Sequence, residues 1–554
     1  MLKVEHLSIH FEDRSEKEEV VRDVSFQMEN GEILGIVGES GSGKTMTALT
    51  VAGLLKKHAI LDAGKIWLDE TDLLQLSEKE MRKVQGNDIG MIFQEPMTAL
   101  NPTMRIGKQV EEALVLHRSH SFFDGGRHIF GKRNRDAQGS WQGTEKNMTK
   151  EERRSLALKA LEEVELEHPE QLYEKYPHEL SGGMRQRVMI AAAAVCRPKL
   201  LIADEPTTAL DVGTQESILK LLKKLNRKYG MSILFISHNL RVVNTLCSHV
   251  LVMKDGRVVE EGECGKIFEN PQSEYTKELI AAIPARTKAN RYYDLPGRTG
   301  EDFGSESCEV TVHGALHPAA RHPANKAVVS GIQPPTVSQV VNCDHVNAYY
   351  KEGKTRRQVL EDVSFTLYEG EIVGLVGESG SGKSTLCKCV LGLLKDYDGE
   401  IRHYTERPQM VFQDPFSALN PRKTVGWILE EPLRVRGGFS RKERRERAEE
   451  MLGRVHLPGD FYGRYPRELS GGQRQRVSLA LALITGTKFI LADEPLSALD
   501  VTVQAQIIAL LKELQEKEKI CYLFVSHDLD VVSMLCSRVL YLRDGKVRCL
   551  EGNC

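Results

Sequence analysis

The sequence predicts an α/β fold in which one domain plan is used twice. Three observations predict it: a glycine-rich phosphate-binding loop occurs in two copies, each copy follows an apolar strand-like run, and each precedes a helix-like stretch. Later motifs repeat at a second fixed offset, because Lys44 lies 339 residues before Lys383, whereas Glu205 lies 289 residues before Glu494. At 554 residues the chain is too long for one hydrophobic core, so about two to four domains are expected.

The phosphate-binding loops carry the first functional prediction. They are Gly38-Glu39-Ser40-Gly41-Ser42-Gly43-Lys44-Thr45 and Gly377-Glu378-Ser379-Gly380-Ser381-Gly382-Lys383-Ser384. Their glycines let backbone N–H groups turn towards phosphate oxygens, and the N-terminus of the following helix adds partial positive charge. In this pattern Lys44 and Lys383 reach the β- and γ-phosphates, while the hydroxyls of Thr45 and Ser384 bind Mg²⁺. The sequence therefore predicts that nucleoside triphosphate binds twice.

The first copy carries 50 more residues than the second between its phosphate loop and the later motifs. One extra piece lies within residues 62–89, where residues 64–69 predict a strand and residues 77–84 a short capped helix. The other, about residues 117–147, is polar, with Gly, Arg, Lys and His residues between aromatic ones. It could bind RNA, or a metal through its histidines. A solvated surface loop is favoured, because no ligand spacing or repeat supports either alternative.

The chain order predicts three segments. Residues 1–284 form a first domain with a C-terminal extension, and residues 285–338 form a flexible linker that contains five prolines. Residues 339–554 form a second domain that is shorter and has no counterpart of the extension. In both domains a charged amphipathic helix, residues 149–165 and 441–455, precedes the later motifs.

Two apolar runs end in paired carboxylates, Asp204-Glu205 and Asp493-Glu494. The first acid of each pair suits Mg²⁺ coordination, directly or through water. The second is placed to accept a proton from an attacking water molecule. A single acid at the end of a buried strand is common without function, but two acids in both copies, at related distances from a phosphate loop, favour catalysis.

A Leu-Ser-Gly-Gly motif precedes a helix in each copy, at Leu180-Ser181-Gly182-Gly183 and Leu469-Ser470-Gly471-Gly472. Taken locally, each serine is a helix N-cap, with glycines that permit close packing. The exposed N–H groups and hydroxyl also form an anion site, although each domain already has a phosphate loop of its own.

Composition argues against several classes of protein. The 75 basic and 78 acidic residues give a net charge of −3, so nucleic acid is not an expected partner. No apolar run reaches the roughly 18 residues of a membrane span, and the N-terminus lacks the apolar centre of a signal peptide. The 11 cysteines are scattered without a Cys-x-x-Cys pair, so reduced thiols are expected rather than zinc sites or a disulfide framework. Any membrane role is expected to come through partners.

Taken in order, these motifs resemble the ATPase domains of ABC transporters. The resemblance covers about nine-tenths of the chain and adds a glutamine after an apolar strand, an Ala-Leu-Asp motif and a histidine in each copy: Gln94 and Gln413, Asp211 and Asp500, His238 and His527. Residues 93–102 and 412–421, the Tyr-Pro-x-Glu-Leu-Ser-Gly-Gly-x-Arg-Gln-Arg runs and the tail at 270–284 resemble the peptide/nickel (dipeptide–oligopeptide) importer branch. That branch usually uses two separate ATPase chains, and this chain resembles both of them fused.

The resemblance implies two RecA-like cores, each with an antiparallel β subdomain and a helical signature subdomain, that pair head to tail. ATP on Lys44 and Thr45 would be closed by Ser470 and Gly472. ATP on Lys383 and Ser384 would be closed by Ser181 and Gly183. Further roles are implied in pairs. Phe11 and Tyr350 would stack on adenine, and His238 and His527 would hold the γ-phosphate and the attacking water. Gln94 and Gln413 would sense Mg²⁺ and water and link each site to the permease.

The implied function is the energising subunit of a solute importer, at the cytoplasmic face of the cell membrane. Its cofactors are ATP and Mg²⁺, and its partners are two integral-membrane permeases and an external solute-binding protein. The solute stays open among peptide, nickel, nickel chelate, glutathione and other small molecules. The alternative is a soluble tandem ATPase that acts on ribosomes, but the proline-interrupted linker does not have the charged helical character of those proteins.

Overall fold

A computed structural model describes residues 1–13, 16–55, 58–117, 123–124, 127–128, 134–135, 141–142, 148–207, 210, 212–281, 338–352, 355–378, 380–406, 408–497 and 499–550. They divide into two compact units, a first domain chiefly of residues 1–283 and a second chiefly of residues 284–499 and 503–554. Within these ranges, no helix is both long and apolar enough to cross a membrane.

The first domain combines a largely parallel sheet with an antiparallel one. Its strands are β1 (Leu2–Asp13), β2 (Glu16–Met28), β3 (Ile33–Val37), β4 (Ala59–Leu68), β5 (Thr71–Asp72), β6 (Ile89–Ile92), β7 (Phe123–Asp124), β8 (Arg127–His128), β9 (Asn134–Arg135), β10 (Trp141–Gln142), β11 (Leu200–Asp204), β12 (Ser232–Ser237), β13 (His249–Lys254) and β14 (Arg257–Glu263). Its helices are α1 (Lys44–Val51), α2 (Glu78–Val84), α3 (Pro96–Ala99), α4 (Ile106–Leu116), α5 (Lys150–Glu163), α6 (Pro169–Tyr173), α7 (Gly182–Ala194), α8 (Val212–Tyr229), α9 (Leu240–Leu246), α10 (Cys264–Glu269) and α11 (Glu274–Ala281). The main sheet has the order β14-β13-β3-β12-β11-β6 and the antiparallel sheet the order β2-β1-β4-β5.

The central strands of the main sheet are buried on both faces. All residues of β3, β11 and β12 are buried, as apolar strands covered on both sides require. Alternate residues of β3 face two cores, since Ile33 and Val37 pack with the helices, whereas Leu34 and Ile36 pack with the antiparallel sheet. The centre of the sheet therefore lies between the two layers.

The second domain repeats the plan with shorter connections. Its strands are β15 (Gln339–Glu352), β16 (Thr355–Tyr368), β17 (Ile372–Val376), β18 (Tyr397–His403), β19 (Gln409–Val411), β20 (Phe489–Asp493), β21 (Cys521–Val525), β22 (Arg538–Arg543) and β23 (Lys546–Leu550). Its helices are α12 (Lys383–Val390), α13 (Pro415–Ala418), α14 (Val425–Arg436), α15 (Arg441–Arg454), α16 (Gly471–Leu483), α17 (Val501–Glu518) and α18 (Leu529–Leu535). The sheets have the orders β19-β20-β21-β17-β22-β23 and β16-β15-β18. The predicted α/β fold with an antiparallel β part is confirmed for both domains.

The two extra pieces of the first domain differ in what the structure describes. The piece within residues 62–89 forms β5, a 3-10 turn and α2, which is the predicted short capped helix. Its cap is a capping box, in which Ser77 and Glu80 bond reciprocally. Residues 117–147 lie outside the described residues except for His117 and the short strands β7 to β10, so the role of this piece stays a prediction. The predicted linker lies outside them except for Ser338.

The parallel strands bring the predicted site residues to one edge of each main sheet. In the first domain the phosphate loop follows β3, His238 follows β12, Glu205 follows β11 and Gln94 lies shortly after β6. These strands are neighbours in the order β3-β12-β11-β6 and run parallel. Residues at their carboxyl ends therefore converge, as in other open α/β sheets.

Candidate active sites

The phosphate loop of each domain follows a path that excludes side chains at key positions. Gly38 has φ +153°, and a Cβ added there would lie 2.1 Å from the backbone oxygen of Met253. At Gly377 an added Cβ would lie 2.2 Å from the backbone oxygen of Leu542. Gly43 and Gly382 cap helices α1 and α12 in the left-handed conformation. Each loop thus delivers backbone amides and a helix N-terminus to the same place.

The loop lysines are turned onto the loop itself. Lys44, which is 5% exposed, donates from Nζ to the carbonyl oxygens of Gly38 (2.8 Å) and Glu39 (2.6 Å) and to the Ser42 hydroxyl (3.3 Å). Burial lowers the pKa of this ammonium group. Lys383 makes the corresponding bonds to two carbonyl oxygens, at 2.7 and 2.8 Å. A buried cation beside loop amides fits the phosphate groups of a nucleotide.

A second observation supports the same fit in the second domain. Oγ of Ser381 is buried and has no hydrogen-bond partner among the described residues. Buried hydroxyls are rarely left unpaired in folded proteins. This hydroxyl lies within the phosphate loop, where a phosphate oxygen would satisfy it.

Two hard oxygen groups lie beside the first loop. The Thr45 hydroxyl donates to Oδ1 of Asp204 at 3.2 Å, and Asp204 is 3% exposed. Burial, and then the neighbouring charge of Glu205, raises the pKa of Asp204 to about 6. The same two causes raise the pKa of Asp493 in the second domain. A hydroxyl and a buried carboxylate are hard oxygen ligands, so the residues fit Mg²⁺.

The glutamate after each acidic strand is held from two sides. Nε2 of Gln94 donates to Oε2 of Glu205 at 2.9 Å, and Nδ1 of His238 lies 3.1 Å from Oε1. In the second domain Gln413 and His527 hold Glu494 at 2.8 and 3.1 Å. The structure thus brings together, in each domain, the three residues predicted to act in catalysis.

These glutamates also have an uncommon backbone. Glu205 has φ +47° and Glu494 has φ +44°, in the left-handed region that glutamate rarely adopts. Such a conformation costs of order 1–3 kcal/mol and persists only where its surroundings enforce it. Here the Glu205 amide continues the sheet by donating to Ile236 O at 3.0 Å. With this backbone, both carboxylates face their glutamine and histidine partners.

The Leu-Ser-Gly-Gly segments begin α7 and α16. Ser181 accepts from the Met184 amide and Ser470 from the Gln473 amide, each at 3.3 Å, so both serines are N-caps. A Cβ at Gly183 would lie 2.7 Å from Thr214 Cγ2, and one at Gly472 would lie 2.4 Å from Val503 Cγ1. These glycines allow close helix packing within each domain, and the predicted role across domains stays a prediction.

The remaining predicted residues are placed as follows. Phe11 lies in β1 and Tyr350 in β15, and both are half-buried. Asp500 accepts from the Thr502 hydroxyl at 2.7 Å, just before α17. Asp211 and Ser379 lie outside the described residues. The adenine-stacking role of the aromatic pair stays a prediction.

One contact at the first loop was not predicted. The amide of Glu39 donates to Oη of Tyr275 on α11 at 3.0 Å. Tyr275 belongs to the tail at residues 270–284, which resembles the importer branch. The resemblance predicted no role for any residue of this tail. No local pattern could reveal the contact, because 236 residues separate its partners.

Comparison with known proteins identifies the family. The family model described as ABC transporter matches residues 21–208 and 360–497. The glutathione import ATP-binding protein GsiA of Escherichia coli O6:H1 is 41% identical over 571 residues, which cover 99% of this chain and 85% of that protein. GsiA of Escherichia coli K12 is 40% identical with the same coverage.

Solved structures of similar proteins include a dimeric post-hydrolysis state of the ATP-binding cassette MJ0796 bound to ADP and Pi. It is 29% identical, covers 48% of this chain and 99% of its own, and has a TM-score of 0.40. The matched family model and the nearly full-length relatives are sufficient for assignment. The chain belongs to the ATP-hydrolysing subunits of ABC transporters, in the peptide/nickel importer branch, with two ATPase domains in one chain.

Proposed function

We propose that the chain hydrolyses ATP at both phosphate loops and thereby drives import of a small peptide-like solute through partner permeases. The observation that carries this proposal is the recurrence of one glutamine–glutamate–histidine arrangement in both domains, with matching distances. A second site that had lost catalysis would not be expected to keep this arrangement of side chains. Both domains are therefore proposed to be hydrolytic.

The chemistry is proposed to be the same in each site. In the first domain Lys44 leaves the loop carbonyls and binds phosphate oxygens, while Glu205 accepts the proton of the attacking water. Gln94 and His238 hold the carboxylate in place and orient that water. Mg²⁺ held by Thr45 and Asp204 would neutralise charge on the phosphates. In the second domain the corresponding residues are Lys383, Glu494, Gln413, His527, Ser384 and Asp493.

Each loop is proposed to be completed by the Ser-Gly-Gly segment of the other domain, as the family resemblance implies. Each segment opens a helix whose N-terminal amides suit an anion, which supports this arrangement. Phe11 and Tyr350 would stack on adenine. ATP then stabilises the paired state and hydrolysis releases it, so that nucleotide shifts a two-state equilibrium.

A surface for the permeases is proposed beside Gln94. Phe93 and Met97, which flank this glutamine, are 40% and 55% exposed, and Phe412 beside Gln413 is 47% exposed. Exposed large apolar side chains next to a catalytic residue suit an interface that reports occupancy of the site. The chain would then act at the cytoplasmic face of the membrane, with two permeases and a solute-binding protein.

Glutathione is the first solute to test, because the nearly full-length relatives are glutathione import proteins. Other peptides, nickel and nickel chelates are the further candidates. The same relatives favour import over the alternative of a tandem ATPase on ribosomes.

The test begins with purification of the tagged full chain from detergent-solubilised membranes. The purified complex is then reconstituted in vesicles, with ATP on the side of the ATPase chain and the solute-binding protein on the opposite side. We expect two integral-membrane proteins to accompany the chain and ATP-dependent uptake of glutathione or another peptide. The matched control is the Glu205→Gln, Glu494→Gln double variant, which should assemble without uptake. Association with ribosomes in the absence of permeases would refute the proposal.

A further inference from the structure

Tyr275 is held in a fixed position by the C-terminal part of the first domain. It lies in α11, whose start is fixed by Glu260, since this carboxylate accepts from the amides of Gln272 (2.8 Å) and Ser273 (3.0 Å). Tyr275 and Leu279 of the same helix are buried in the main core of the domain. The tyrosine hydroxyl is therefore presented by a packed element.

Three parts of the chain meet around Tyr275. Oη of Tyr275 accepts from the amide of Glu39 in the phosphate loop at 3.0 Å. Nζ of Lys254, at the end of β13, lies 4.5 Å from the centroid of the tyrosine ring. The preceding residue, Met253, is the one whose carbonyl approaches Gly38. The tail, a core strand and the loop are thus linked at one point.

The two phosphate loops differ at this bond. The carbonyl bonds correspond in the two loops, since the carbonyl of Glu39 accepts from Ser42 N (3.2 Å) and Lys44 Nζ (2.6 Å), and that of Glu378 accepts from Ser381 N (3.2 Å) and Lys383 Nζ (2.8 Å). Glu39 has a further partner for its amide, the Tyr275 hydroxyl. Among the described residues no group accepts from the Glu378 amide.

We infer that Tyr275 is a positioning residue of the first phosphate loop. Its hydroxyl holds this loop in the nucleotide-binding conformation and thereby makes the two sites unequal in ATP affinity. This inference rests on the proposed role of the loop. An anion site binds more tightly when its amides are oriented before the ligand arrives, because less conformational freedom is lost on binding. The Tyr275 hydroxyl holds the amide of Glu39 and the Ser42 amide holds its carbonyl, so rotation of these peptide groups away from the phosphate-binding arrangement would break hydrogen bonds.

The test measures ATP binding to the full chain at equilibrium with Mg²⁺. It is done in a Lys383→Ala background, which removes binding at the second site and leaves the first site as the only one that binds ATP. Tyr275→Phe removes the hydroxyl and keeps the ring beside Lys254. The expected result is ATP affinity about three- to tenfold weaker, the range that one ordinary hydrogen bond accounts for. The matched control is Tyr229→Phe, which removes a hydroxyl bonded to Glu163 on the helices of the same domain and should leave affinity unchanged.

A reciprocal measurement separates positioning from general stability. In a Lys44→Ala background, which leaves the second site, Tyr275→Phe should not change ATP affinity, and the melting temperature without nucleotide should match that of the Tyr229→Phe chain. Unchanged affinity at the first site, or equal weakening at both sites, would overturn the inference. If the Lys383→Ala chain still binds ATP after Lys44→Ala is added, the proposed role of the loop itself fails.

Discussion

Replacing Glu205 or Glu494 with glutamine removes the proposed general base of one site and changes little else. Glutamine has nearly the same shape and keeps an oxygen that can accept from Gln94 or Gln413. The distances around the two carboxylates differ by no more than 0.1 Å, at 2.9 and 2.8 Å to glutamine and 3.1 Å each to histidine. The same loss is therefore expected at each site.

The expected loss is that of a general base, about 10²- to 10⁴-fold in turnover at the altered site, or roughly 3–5 kcal/mol of barrier. If the sites turn over independently, each single variant keeps about half of the total rate and the double variant about 1% or less. If the sites are coupled, each single variant falls towards the double variant.

The assay is steady-state phosphate release by the full chain at saturating ATP. Glu78→Gln is the matched control, because it makes the same chemical change in an exposed pair with Arg82, where little stability or activity depends on it. The reasoning would be refuted if one replacement abolished activity while the other left the rate of the parent chain untouched. That outcome would mean that only one of two matching geometries is catalytic.

Three further predictions concern the loop, the acid and the core of the first domain. Gly38→Ala should abolish measurable ATP binding at the first site, because its Cβ would lie 2.1 Å from the Met253 oxygen, whereas Gly41→Ala meets open space and should cost only about 1–2 kcal/mol for its left-handed backbone. Equal binding losses in the two variants would contradict this. Without nucleotide and Mg²⁺, the pKa of Asp204 is raised to about 6 in the folded chain. Its protonated form therefore contributes fully to the unfolding free energy below about pH 4, and this contribution is lost as pH rises through about 6. Asp204→Asn should therefore show a flatter pH dependence of unfolding free energy between these values. The same pH dependence in the variant and the parent chain would contradict this prediction. Phe235→Ala removes a fully buried ring and should lower the unfolding free energy of the first domain by about 3–5 kcal/mol in chemical denaturation. A loss of less than about 1 kcal/mol would contradict this prediction.

The elements that the sequence predicted well are those whose causes are local. The phosphate loops and the acids at strand ends could be placed because a glycine pattern and an apolar run each define their own backbone. The start of α2 could be placed because Ser77 and Glu80 form a capping box within one turn. The repeat then transferred each local prediction to the second domain.

The pairings that complete the site could not be derived locally. Gln94 and Glu205 are 111 residues apart, and only the neighbouring positions of β6 and β11 bring them together. Their roles came from the family resemblance. The left-handed backbone of Glu205 also has no signal in the sequence, because it arises from the surrounding structure rather than from the residue type. The Tyr275 contact depends likewise on how a distant helix packs.

The number of ATP molecules bound per chain tests the central claim most directly. The Glu205→Gln, Glu494→Gln double variant should bind ATP without hydrolysing it, so that ATP retained after rapid removal of free nucleotide can be counted. We predict two ATP per 554-residue chain, falling when either Lys44→Ala or Lys383→Ala is added. One ATP per chain, insensitive to one of the two lysine replacements, would contradict the account of two nucleotide-hydrolysing sites.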